Sequence, residues 1–156
     1  MRGVLWLALL WNIFMPLAVR AQSEERAVTA AVQRLFDAMA RRDAAAARKL
    51  MLPEGRLFSV HQETSEVRAG PTNLQWAEAL ADGNGRYLER MWNPKVMIHG
   101  RIAVLWAKYD FHLNGRFSHC GVDSIDLVKT SEGWKIAGGL YTVERKGCSP
   151  SPLGPP

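Results

Sequence analysis

An α+β domain, with its helices gathered on one face of a strongly curved antiparallel sheet, is what this chain predicts. Three observations lead there. Helical periodicity is confined to the first half of the chain, from Val28 to Met39 and again from Leu74 to Leu80. From Arg86 onward the pattern is strand, interrupted only by turns. At the centre of that half, Asn114-Gly115 joins two long strands, and this dipeptide suits a two-residue turn with both central residues at positive φ.

In chain order, Ser23 is placed to cap a first helix, with Glu24 and Glu25 in its first turn where the helix dipole favours acids. Val28, Ala31, Val32, Leu35, Phe36 and Met39 then form one buried face. Asp43 caps a shorter helix through Leu52, ended by Pro53. Leu57–Gln62 and Glu66–Ala69 read as short strands, punctuated by Gly70-Pro71. Thr72 and Gln75 match a capping box that opens the third helix. A long strand from Arg86 to Ile98 carries a break or bulge at Asn93-Pro94, because proline cannot donate to a ladder. His99-Gly100 and Thr130–Gly133 are turns, Trp134–Glu144 is the last strand, and Gly138-Gly139 marks a bend in it.

Unbroken pairing outward from Asn114-Gly115 sets Asp110 opposite His119, Trp106 opposite Asp123 and Val104 opposite Ile125. Ile102, Val104, Trp106, Lys108 and Asp110 then share the buried face with His119, Asp123, Ile125 and Leu127. Pairing Lys129 with Trp134 sets Leu127 opposite Ile136 and Ile125 opposite Gly138, which agrees with that choice of face. The outer face would carry Leu105, Tyr109, Phe111, Val122, Val128 and Tyr141, apolar enough to suggest a homodimer through the back of the sheet. His99 and His112, near turns, are expected in solvent.

The 156 residues suit one domain. Residues 1–21 read as a secretory signal peptide: Arg2, an apolar run from Val4 to Trp11, then Val19-Arg20-Ala21 at the cleavage site. Asn12 and Pro16 interrupt the apolar stretch short of the roughly 20 residues a spanning helix needs, so no stable membrane anchor is expected. Cleavage removes Arg2 and Arg20 and lowers the formal net charge from +5 to +3. The remaining bases are scattered without interleaved aromatics, which argues against nucleic acid. The domain is then 22–147, followed by a Pro-rich tail, 148–156, expected to be disordered. Cys120 and Cys148 both lie in the exported portion, where a disulfide between them is favoured over free thiols.

With these elements placed, the chain resembles the nuclear-transport-factor-2-like superfamily, in particular its SnoaL-like and lumazine-binding branch of small exported proteins. The resemblance covers Ala27 to Glu144. It rests on the helix Gln33–Met39, the run Ala103–Trp106 leading to Tyr109-Asp110-Phe111, the block Phe117–Asp123, and the ending Gly133-Trp134-Lys135-Ile136. It implies a cystatin-like cone: three N-terminal helices against a curved sheet, with a mouth for a small molecule. Such cones host isomerases, dehydratases, cyclases and idle binding modules, so fold alone does not select a function.

The candidate site residues follow from the assumed strand phase. Asp110, His119 and Asp123 are the candidates for proton transfer, since an Asp in an apolar cone has its charged form disfavoured. Trp106, Lys108 and Trp134 are the candidate ligand contacts. Asp110 and His119 pairing at the rim, or Asp123 fixing the Trp106 indole, are the structural alternatives. No His/Cys spacing suggests zinc, no glycine-rich phosphate loop is present, and neither metal nor cofactor is called for. The expected function is an exported binding domain for an unknown small molecule. The alternatives are an isomerase, dehydratase or cyclase using an Asp/His pair, and a dimerising module with a vestigial pocket.

Overall fold

A computed structural model describes residues 17–156. The signal-peptide expectation falls mostly on residues 1–16, outside the described residues. Among the described residues no helix is long and apolar enough to cross a membrane.

Three helices pack on one six-stranded sheet. They are α1 (Leu17–Arg41), α2 (Ala44–Leu50) and α3 (Asn73–Asp82); the strands are β1 (Met51–His61), β2 (Glu66–Thr72), β3 (Tyr87–His99), β4 (Ile102–Leu113), β5 (Arg116–Thr130) and β6 (Gly133–Val143). The sheet order is β2-β1-β6-β5-β4-β3. All neighbours are antiparallel except β1 and β6, which pair in parallel.

Helix α1 buries the expected face, with Val28, Ala31, Val32, Leu35, Phe36 and Met39 all in the core. It does not begin at Ser23. The preceding Leu, Ala, Arg and Gln residues are good helix formers, so the helix runs back to Leu17, and Ser23 Oγ donates to the Arg20 carbonyl inside it. Glu24 has a different task from dipole compensation. It accepts from Lys129 Nζ at 2.6 Å and Trp134 Nε1 at 3.0 Å, fastening α1 to the β5–β6 hairpin. Asp43 caps α2, and Thr72 and Gln75 form the capping box of α3. Pro53 lies within β1 rather than ending a helix. It falls in the irregular stretch between Met51 and Arg56, where its missing N–H costs no ladder bond.

Asn114 and Gly115 have φ of 55° and 76°, the turn expected of them. Beyond that turn the pairing departs from simple arithmetic. Leu113 faces Arg116 and His112 faces Phe117, but Phe111 faces His119, so Ser118 is an extra residue in β5. A second irregularity at Ala137 sets Asp126 opposite Gly138 and Ile125 opposite Gly139. A third lies at Asn93-Pro94, where it was expected.

The bulge at Ser118 reverses the face assigned to β4. Ala103, Leu105, Ala107, Tyr109 and Phe111 point inward with His119, Asp123, Ile125 and Leu127 of β5. The bulge at Ala137 likewise brings Tyr141 inside. Ile102, Val104, Trp106, Lys108 and Asp110 lie on the outer face instead.

Cys120 and Cys148 are joined, closing a loop with a sequence separation of 28. In the chain-entropy model such a loop contributes about 3 kcal/mol. Glu144, Cys120, Asp110 and Arg90 are successive cross-strand neighbours on the outer face. The C-terminal segment follows that row without forming a helix or strand. From the disulfide it passes Ser151 and reaches Gly154, whose carbonyl accepts from Arg90 Nη1 at 2.9 Å.

Candidate functional site

Helices α1 and α3 do not seal the wide end of the curved sheet. They leave a half-enclosed cavity of about 350 Å³, at the lower end of the range for small-molecule pockets. Apolar and aromatic side chains form most of its wall: Val32, Leu35, Phe36 and Met39 from α1, Trp76 and Leu80 from α3, Tyr87 from β3, Tyr109 and Phe111 from β4. The polar groups are Glu89, His119, Asp123 and the tyrosine hydroxyls.

Each polar group has a distinct environment. Tyr109 donates its hydroxyl to the Thr142 carbonyl at 2.6 Å, and burial pushes its ionisation far upward, so it remains neutral. His119 stacks on Phe111 with ring centroids 5.0 Å apart and meets Tyr109 edge-on. Its Nδ1 lies 3.0 Å from Ser118 Oγ of the bulge. Burial, followed by the Arg145 and His61 charges, lowers its pKa to about 4, and at neutral pH the ring is uncharged.

Asp123 is 3% exposed, and burial raises its pKa from 3.8 to about 7. The facing acid is Glu89, which is pushed well upward by burial and by the Asp123 charge. Two carboxyls this close in an apolar wall cannot both ionise, so Glu89 keeps the proton and donates it to Asp123. Asp123 Oδ2 finds no N–H or hydroxyl partner among the described residues. The pair is a proton-sharing dyad at neutral pH. One member can accept a proton and the other can donate one.

The expected site residues separate into two groups. His119 and Asp123 line the cavity, although no hydrogen bond joins them among the described residues. Asp110 lies on the opposite face of the sheet. Arg90 holds it with two hydrogen bonds, Nε to Oδ1 at 2.9 Å and Nη2 to Oδ2 at 2.7 Å. Burial would raise this carboxyl, but the Arg90 hydrogen bonds and charge outweigh it, and its pKa falls below the ordinary value. His112, expected in solvent, is buried beside it with Nε2 at 3.3 Å from Asp110 Oδ1. Trp106 and Lys108 are exposed on that outer face, displaced from the cavity by the same bulge. Trp134 does point inward, but it is buried at the narrow end, held by Glu24, and does not line the cavity.

Glu89 is the residue that sequence reasoning missed. It lies between Tyr87 and Met91 at the alternate positions of β3 that face inward, an acid in an otherwise apolar register. Its partner across the ladder is Phe111. With Phe111 assigned outward, nothing marked Glu89 as interior.

A raised native pKa sets the sign of the pH dependence. The folded protein binds the Asp123 proton more tightly than the unfolded chain does, so this group's contribution to stability falls as pH rises from about 4 to about 7. Asp123→Asn is expected to flatten that slope and to be more stable than the native protein at pH 8, by on the order of a few kcal/mol. Urea denaturation across that range checks it; a slope unchanged in the variant would show that Asp123 is not the group responsible.

The family model described as putative lumazine-binding matches residues 23–142. Among curated proteins no sequence match is found. Similar solved structures include a nuclear transport factor 2 superfamily protein from Salmonella enterica, with 18% identity and a TM-score of 0.64, covering 82% of this chain and 96% of that one. A putative dehydratase of the same superfamily from Streptomyces avermitilis has 16% identity and a TM-score of 0.63, covering 79% and 97%. A third, from Novosphingobium aromaticivorans and described as having a cystatin-like fold, has 14% identity and a TM-score of 0.60, covering 85% and 88%. These likenesses bear on the fold: three helices on a curved, mostly antiparallel sheet. The family match spans most of the sequence, and the chain belongs to the putative lumazine-binding family.

Proposed function

We propose that this protein is an exported small-molecule-binding domain whose ligand occupies the cavity between α1, α3 and the sheet. The carrying observation is that cavity: about 350 Å³, walled by aromatics, with a buried Asp123 carboxyl that has no donor besides Glu89 among the described residues. A buried carboxyl with so few donors is costly, and a ligand that donates to it recovers part of that cost. Export is supported by the leader-like composition of residues 1–21 and by the disulfide, a bond that persists in oxidising compartments. A cone filled by Trp106 and Trp134 would favour the vestigial-pocket alternative. Neither Trp106 nor Trp134 lines the cavity.

A proton-transfer enzyme is the second reading, and the Glu89–Asp123 dyad favours it specifically. In this reading Asp123 is the base, and Glu89 rather than His119 is its acid partner. The dehydratase named among the structural neighbours is compatible with it.

Native mass spectrometry of the protein purified from its own host is the test. A co-purifying small molecule, with occupancy lost in Asp123→Asn, supports the binding reading. An empty protein, with ligand screens unaffected by Asp123→Asn, removes it.

We also propose a homodimer through the outer sheet face. Met97, Ile102 and Trp106 are 67%, 60% and 52% exposed there on adjacent strands, with Val104 between them. Such a contiguous apolar surface favours association with a second copy. Sedimentation is expected to give a dimer that Trp106→Glu converts to a folded monomer; a monomeric native protein would exclude it.

A further inference from the structure

The cavity's electrostatics narrow the class of ligand, on the reading that it is a binding site. Its titratable wall groups are Tyr87 and Glu89 of β3, Tyr109 of β4, His119 and Asp123 of β5, and Tyr141 of β6; α1, α3 and β1 contribute none. Among the described residues no lysine or arginine lines it, and His119 is uncharged at neutral pH. The charge available to a ligand is therefore negative, concentrated on two facing carboxyls. Around them the surface is aromatic, and the faces of such rings attract cations.

We infer that the cavity takes an organic cation, an aromatic amine or protonated nitrogen base, with its N–H groups between Asp123 and Glu89 and its ring against the Phe36, Trp76 and Phe111 side of the wall. Three observations converge on this. Apart from the Glu89 proton, Asp123 Oδ2 has no donor among the described residues, and an ammonium or ring N–H supplies one. The proton shared by the dyad already occupies the place of a positive charge, and a bound cation substitutes for it. An anion would be brought beside two acids in a poorly solvated wall with no counter-charge, which is repulsive.

Proton balance gives the inference its own signature. Ionising the dyad around a cation releases to solvent the proton that the two carboxyls share. A neutral alcohol of the same shape releases none, and an anion requires uptake.

The experiment uses calorimetry on the full mature protein, slightly above neutral pH, in two buffers of different ionisation enthalpy. The probes are phenethylamine and tryptamine, each with its matched alcohol (phenethyl alcohol, tryptophol) and matched acid (phenylpropionate, indolepropionate). The amines are expected to bind more tightly than the acids by about tenfold or more, with net proton release. Asp123→Asn is expected to weaken amine binding about tenfold more than alcohol binding, while Asp110→Asn on the outer face leaves the amine preference intact. Equal binding of alcohol and amine, or tighter binding of the acids, overturns the inference while leaving a ligand-binding cavity in place. If no member of either series binds, the cavity reading and the inference fall together.

Discussion

One inserted residue organises this molecule. Ser118 occupies a bulge in β5, and because side chains alternate strictly along a strand, that single insertion decides which half of β4 is interior. With it, Ala103, Leu105 and Ala107 pack against the helices, and the small alanines leave room for α1 to approach the sheet. Tyr109 and Phe111 then widen into the cavity wall. Without it, Lys108 and Asp110 would face the core and Leu105 would face water. Burying charged groups without partners costs several kcal/mol each, far more than one irregular ladder step.

The same constraint sorts the acids into two solutions of one physical problem. Asp110, on the outer face, is buried beneath the C-terminal segment and neutralised by the fork of Arg90. Its charge is retained and its proton is hard to add. Asp123, on the inner face, has no basic partner and meets Glu89 instead. The combined charge of the pair is suppressed, and the proton they share is hard to remove. The first arrangement anchors structure, since the carboxylate has spent both oxygens on Arg90. The second leaves a carboxyl with only the neighbouring acid as donor in an aromatic cavity, a condition under which a bound molecule gains by supplying another.

Local chemistry made much of the fold legible. The capping box at Thr72, the N-cap at Asp43, the buried face of α1 and the Asn114-Gly115 turn each depend on residues close in sequence, and each is where the residues put it. The parallel pairing of β1 with β6 joins segments separated by most of the chain, and no local signal encodes it. The site was half legible. His119 and Asp123 were placed inward because Ile125, Leu127 and Ile136 fix the phase of β5 and β6. Asp110, Trp106 and Lys108 were misplaced because hairpin arithmetic carried that phase across the turn unaltered. The correcting signal was present in β4 itself: Ala103, Leu105, Ala107, Tyr109 and Phe111 are uniformly apolar or aromatic, whereas the alternate set ends in Lys108 and Asp110. Alternation within a strand outweighs counting from a turn wherever a bulge is possible. Recognising that would also have turned Glu89 inward through its pairing with Phe111.

Strand phase is therefore the claim on which cavity, dyad and ligand class all rest. Cross-strand NOEs between backbone protons of β4 and β5, measured on the labelled protein in solution, read it directly. Contacts pairing Phe111 with His119 and Ala107 with Asp123 are the predicted result. Contacts pairing Asp110 with His119 and Trp106 with Asp123 would contradict it.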